Sequence, residues 1–243
     1  MRDKMHIVED LVSFIRNETE QMIQQTHGSE LMFNVFTTQV KKTSFQSRLC
    51  KEASNYSKAS IKVWTTDADI SKIDFALPYI YETPFKFNIA PNEMLGLAAS
   101  NIDYGDGLAA CADGVLQIIK CYNDIYKNSH VTVVGRGHAL GGLSEALIHS
   151  HLTFSLCNRA STYSDMLALF GFSDVIVWGV GDRDIRIPPA RFGKRAILVD
   201  ICGAPNIDII KEMNPDLEYI SPSQVGELTA TILFNRAARY GGI

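Results

Sequence analysis

Three glycines punctuate the run VVGRGHALGG, at Gly135, Gly137 and Gly141, between an apolar stretch of strand length and a segment of helical periodicity. Glycines at such a junction let the backbone approach a pyrophosphate, and a following helix start turns amide N–H groups toward it. The spacing G-x-G-x-x-x-G is one residue longer than the dinucleotide fingerprint, and a plain tight turn is the alternative reading. On the dinucleotide reading, Gly135, Arg136, Gly137, His138, Ala139, Leu140 and Gly141 line the cofactor. Asn158 and Arg159 follow the next apolar run, where the adenosine ribose is met. An arginine there suits a 2′-phosphate, whereas an acidic residue would suit a hydroxyl, so NADP is expected over NAD; a solvated arginine is the bland alternative. WGVGDRD offers Gly179, Val180 and Gly181 after a third run, and DICGA offers Cys202 after a fourth. Both fit ligands bound beyond the carboxyl ends of parallel strands, and both fit ordinary strand-to-loop turns.

Lys51 is the candidate for proton chemistry. It lies on the helical segment SFQSRLCKEASNYS, and a lysine can polarise a carbonyl or pass a proton when burial lowers its pKa. A surface lysine is the competing reading. His138, His149 and His151 are lone histidines, a pattern that suits structural or solvent-facing roles. The five cysteines, with no CxxC pair, suit reduced thiols and give no zinc spacing, so no metal is expected.

These residues need elements to hold them. Ile7, Leu11, Phe14 and Ile15 stand at helical spacing in the first segment. A strand over Leu31 to Thr38, a helix with Leu49 and Ala53 on one face, and strands over Ser60 to Trp64 and Ile73 to Leu77 follow. Tyr79 to Asp106 shows no sustained period and reads as a long surface segment. A helix through Val115, Ile118, Ile119 and Tyr122 leads out of this lobe. Beyond it the chain alternates: strand HVTVV, helix Leu143 to His149, strand LTFSLC, helix Tyr163 to Phe170, strands DVIVWGV and AILVDI. Such βα alternation with β-branched strands predicts an open parallel sheet covered on both faces. VGELTATILFNRAARY reads as an amphipathic helix returning to the first lobe. The expected fold class is therefore α/β in two lobes: residues 1–128 with 221–243 carry the substrate, and residues 129–220 form a Rossmann-type NADP lobe, with the reaction in the cleft between them.

Composition narrows the partners. A hydrophobic share of 46% with 21% charged residues belongs to a globular chain able to build a core. A net charge of −4 gives no general pull toward nucleic acid, and no apolar run is long enough to span a membrane or to serve as a signal peptide, so a cytoplasmic protein is expected.

Taken together, these residues resemble the methylenetetrahydrofolate dehydrogenase/cyclohydrolase family. The family's G-R-S-x-I-V-G-x-P is similar to Gly135 through Leu143, with Gly137 replacing the serine and Leu143 the proline. Its C-H-S-x-T matches Cys157 to Ser161, and its T-P-V-P-G-G-V-G-P-M-T resembles Ser221-Pro222 and then Val225 to Thr229, two residues shorter. In the first lobe S-x-x-Y-x-x-x-K is matched by Ser44, Ser47 and Lys51, Q-L-P-L-P by Asp74 to Pro78, and D-V-D-G-F-H-P-x-N by Glu93 to Asn101. The resemblance implies an NADP-dependent dehydrogenase, active as a homodimer on a small molecule such as a tetrahydrofolate. It casts Lys51 as the proton-handling group with Asp74 and Ser47 beside it, and Leu95, Val225, Gly226 and Thr229 as the substrate wall. Asp74 and Lys51 could act as an acid–base pair or form a plain salt bridge. The pterin-anchoring aspartate becomes Leu95 and the stacking tyrosine becomes Ser47, so the folate end is rewritten. A bound pterin would leave donors unpaired against the leucine, at about 1–3 kcal/mol each. Two alternatives follow: the same cofactor used on a non-folate metabolite, or a cofactor-binding protein without turnover.

Overall fold

The computed structural model describes residues 6–25, 31–37, 44–65, 79–81, 108–135, 137–193 and 195–241. Contacts divide the chain into two compact units, one of Met1–Val8 with Cys111–Val225 and one of Glu9–Ala110 with Gly226–Ile243.

The second of these contains most of helix α1 (Ile7–Gln25), strand β1 (Leu31–Thr37), helix α2 (Ser44–Ala53), and strands β2 (Ala59–Thr65) and β3 (Tyr79–Tyr81). The strands form a parallel sheet in the order β2-β1-β3. Tyr79 and Tyr81, which open the segment expected to run over the surface, lie on a strand hydrogen-bonded to β1. The strand expected over Ile73 to Leu77 lies outside the described residues, as do Asp74 and Leu95. In α1 the buried stripe is Val8, Val12, Ile15, Thr19 and Ile23, spaced by three or four residues as one helix face requires. Phe14, expected on that face, is 69% exposed, because it sits about 100° around the helix from Ile15.

The other unit holds most of helix α3 (Ala110–Tyr126), then β4 (His130–Val134), a 3-10 turn at His138–Leu140, α4 (Leu143–His149), β5 (Thr153–Cys157), α5 (Tyr163–Phe172), β6 (Val175–Trp178), β7 (Ile197–Asp200), α6 (Ile207–Met213) and β8 (Glu218–Ile220). All five strands run parallel in the order β5-β4-β6-β7-β8. The central strands β6 and β7 are buried at every residue, as β-branched runs covered on both faces should be. Two elements here go beyond the sequence reading. Strand β8 has three residues, only one of them buried, and α6 makes just two turns, so neither carries a period long enough to read.

Helix α7 (Pro222–Gly241) ends the described chain, and from Gly226 onward it belongs to the unit with the three-stranded sheet. There it buries Leu228, Ile232, Leu233 and Phe234, and Phe234 stacks on Tyr56 at 5.4 Å. The helix expected to lead out of the first lobe groups, from Cys111 on, with the five-stranded sheet.

Candidate functional site

In the five-stranded sheet β4 is flanked by β5 on one side and β6 on the other. Strand order reverses there, and in open α/β sheets this opens a crevice beyond the carboxyl ends of the strands. Two glycines floor it. Gly135 has φ +100°, donates its N–H to the Cys157 carbonyl at 3.0 Å, and would place a Cβ 2.7 Å from the carbonyl oxygen of Gly179. Gly179 in turn donates to the Val134 carbonyl at 2.8 Å, and a Cβ on it would lie 2.5 Å from Leu140 Cδ1. Gly135 accepts no side chain, and one at Gly179 would require Leu140 to shift, so backbone forms the surface where β4 and β6 end. Gly137 is exposed, and a Cβ there would meet only the Gly179 carbonyl oxygen, at 4.0 Å. This bare floor fits a nucleotide pyrophosphate, which needs close backbone approach.

The rest of the predicted loop divides. Ala139 is half-buried, while Leu140 is buried and packs over Gly179. Gly141 lies in the turn ahead of α4, whose N-cap is Gly142 at φ +79°. The 3-10 turn separates the first glycines from a helix of only seven residues. The helix start expected to sit against the phosphate is thus short, and the glycine floor carries the argument. Arg136 and the side chain of His138 lie outside the described residues.

Beyond β5, Asn158 and Arg159 are exposed in a tight turn closed by Ser161 N–H to the Asn158 carbonyl at 3.0 Å. The Asn158 side-chain oxygen accepts from Ala160 N–H at 2.8 Å, and Ser161 Oγ accepts from Asn158 N–H at 3.0 Å. The turn holds the backbone of Arg159 in place while its guanidinium stands at the surface. Burial pushes the neighbouring Cys157 thiol up, against the lowering effect of Ser161, so it stays protonated. Beyond β6, Val180 packs against the core, and exposed Gly181 has open space around it. Cys202 follows β7 with its residue surface largely open but its thiol partly covered, and that partial burial, with the Asp200 charge, pushes the thiol up.

Asp200 opens the DICGA segment but has no assigned role in the sequence reading, although an acid three residues ahead of a glycine at a strand end is the signal for one. It is fully buried and accepts from the N–H groups of Cys202, Gly203 and Ala204 at 3.2, 2.8 and 2.7 Å. Tyr219 donates its hydroxyl to the same carboxylate at 3.0 Å. These bonds fix the loop at the carboxyl end of β7. Asn206 and Asn214 do the same for the long link from β6 to β7: Asn206 makes paired bonds with the Ile187 backbone, and Asn214 accepts from the Phe192 N–H and donates to the Ala190 carbonyl.

The candidates for proton chemistry stand on the other unit. Ser47 and Lys51 are exposed, one turn apart on α2, above buried Leu49 and Ala53. Between them, half-buried Arg48 lays its guanidinium on Gly226 of α7, in the place a Cβ would take. A glycine inside a helix costs about 0.5–1 kcal/mol relative to alanine, and the passage of Arg48 accounts for it here. Glu52, next to Lys51, is 2% exposed and accepts from Arg16 at 2.5 Å and from the Tyr56 hydroxyl at 2.7 Å. Arg16 also donates to Glu227 at 2.9 Å, joining α1, α2 and α7. Hydrogen bonding to Glu52 raises the Arg16 pKa further, and burial with the Glu52 charge pushes the Tyr56 phenol up. Val225 and Thr229, expected against the substrate, are buried. Among the described residues no cluster of His, Cys, Asp or Glu could hold a metal ion, and no helix is long and apolar enough to cross a membrane.

No protein-family model and no curated protein sequence matches the chain. Solved structures do. The bifunctional 5,10-methylenetetrahydrofolate dehydrogenase/cyclohydrolase of Thermoplasma acidophilum superposes with a TM-score of 0.73 at 17% identity, over 96% of this chain and 97% of that one. The Trypanosoma brucei methylenetetrahydrofolate dehydrogenase-cyclohydrolase, solved with NADP and an inhibitor, gives 0.69 at 13% identity over 99% and 96%. The NAD-dependent 5,10-methylenetetrahydrofolate dehydrogenase of Saccharomyces cerevisiae gives 0.68 at 14% identity over 96% and 94%. At these identities the likeness shows the fold: the chain shares it along nearly its whole length with methylenetetrahydrofolate dehydrogenases.

Proposed function

We propose that this chain is an NADP-dependent oxidoreductase of the methylenetetrahydrofolate dehydrogenase/cyclohydrolase type with a rewritten substrate pocket. The observation that carries the reading is the glycine floor of Gly135 and Gly179 at the strand-order reversal, in a fold that matches those enzymes end to end. NADP, when bound, supplies a nicotinamide that takes up or gives a hydride. The backbone at Gly135, Gly137 and Gly179 would pass beneath the pyrophosphate, and the exposed guanidinium of Arg159 would meet the 2′-phosphate as a charge-assisted pair. The same turn is the ground for preferring NADP to NAD, since both cofactors occur among enzymes of this fold.

Lys51 is assigned to hold or pass the proton at its Nζ. It is exposed, so a bound substrate would be what covers it. The Glu52–Arg16–Glu227 network, buried at Glu52, fixes the helix that presents it. Asp74 as its partner and Leu95 as part of the pocket remain assignments by resemblance. A small metabolite other than a tetrahydrofolate is the second reading, favoured by the short polar side chain of Ser47 on the exposed face of α2, where a stacking ring would serve a pterin. The test is the near-ultraviolet signal of nicotinamide reduction with NADP and 5,10-methylenetetrahydrofolate. Turnover that Lys51→Gln lowers about a hundredfold or more, the usual scale for losing a general acid–base, supports the folate reading. Cofactor binding without turnover moves the assignment to another substrate, and undiminished turnover in Lys51→Gln removes Lys51 from the chemistry.

A further inference from the structure

We propose that Asp200 is a positioning residue for the far half of the bound nucleotide, acting through the loop that follows β7. The proposal rests on the dinucleotide reading: with the 2′-phosphate at Arg159 beyond β5, the rest of the cofactor extends past β4 and β6 toward β7, three strand spacings or about 14 Å away. The loop that meets it there, Ile201 to Ala204, is shaped by one buried group. Asp200 is fully buried, and its carboxylate accepts from the backbone N–H groups of Cys202, Gly203 and Ala204 and from the Tyr219 hydroxyl. A carboxylate offers about four acceptor sites, so these four donors use its whole capacity. Gly203, at φ +82°, lets the chain turn back over it. A trans peptide sets C=O opposite to N–H, so three N–H groups turned in to Asp200 turn the carbonyls of Ile201, Cys202 and Gly203 away from it. That side of the loop is therefore lined with acceptors, suited to the N–H or O–H groups of a ligand and unsuited to a phosphate. The fourth donor is itself seated, since Lys211 Nζ lies 4.0 Å over the Tyr219 ring and so joins α6 to β8.

The test separates the two halves of the cofactor by calorimetry. The full chain and its Asp200→Asn variant are titrated with NADP and with adenosine 2′,5′-bisphosphate, which lacks the nicotinamide half. Asparagine turns an N–H2 group toward one of the four donors, so the loop has to shift. Asp200→Asn should weaken NADP about tenfold, the scale of a lost charge-assisted contact, and leave the bisphosphate within about twofold. A general loosening of the fold would weaken both ligands alike. Equal losses for both, or none for either, overturn the positioning role and leave the dinucleotide reading standing. If the wild-type chain binds neither ligand, that reading falls and the proposal with it. Should Asp200→Asn fail to fold, Tyr219→Phe, which removes one donor and keeps the three backbone bonds, carries the same two arms, with an expected loss of about threefold confined to NADP.

Discussion

Gly135 and Gly181 look alike as strand-end glycines, yet only the first is under steric demand. Gly135 combines φ +100° with a Cβ position 2.7 Å from the Gly179 carbonyl, whereas Gly181 has nothing within 4 Å. Gly135→Ala should therefore cost about 2–4 kcal/mol in urea titration, from left-handed strain and overpacking together. Gly181→Ala should stay within about 0.5 kcal/mol. Equal effects would mean that the close contact between the β4 and β6 ends is not a structural demand. The glycine motif was legible in sequence because φ and close approach restrict residue choice. Gly179's contact with Gly135, and the Arg48 seat on Gly226, were not, since each joins residues more than forty positions apart.

At the scale of elements, a buried polar network ties β4 to β5 and α5. His130 Nε2 lies 3.1 Å from Ser155 Oγ and Nδ1 lies 3.4 Å from Ser173 Oγ, which donates to the Leu169 carbonyl at 2.7 Å. With its one hydrogen spent, Ser173 accepts from Thr132 at 2.6 Å and from His130 Nδ1–H, which leaves Nε2 to accept from Ser155. Burial lowers the His130 pKa below 6.5, and the nearby Asp174 opposes the shift only in part. A depressed histidine stabilises the fold fully above its unfolded pKa. As pH falls below 6.5 the unfolded chain takes up the proton first, and stability drops until the folded pKa is passed. The difference in urea midpoint between wild type and His130→Gln should thus narrow on acidification from about pH 7 to 5; a constant difference would contradict the network's protonation state. Strands β4, β5, β6 and β7 were readable from their β-branched runs, but His130 carried no signal, because its side-chain partners come from two other elements.

Over the whole molecule, the alternation of strands and helices was enough to predict two α/β lobes and a parallel sheet, since apolar periodicity is local. Strand order, and with it the crevice at the ends of β4 and β6, is set by which strands pair, and the sequence reading carried it only through the family resemblance. The roles of Asp200 and of the asparagines that pin the β6–β7 link were not legible for a similar reason: they lie in the backbone these side chains hold. The central claim is that the glycine floor binds a dinucleotide and that Arg159 selects its 2′-phosphate. The most direct measurement is calorimetric titration of the purified chain with NADP and with NAD. The account predicts saturable binding of NADP at least about tenfold tighter than NAD, the scale of one charge-assisted contact. Binding of neither nucleotide would contradict it, leaving a shared fold without the cofactor.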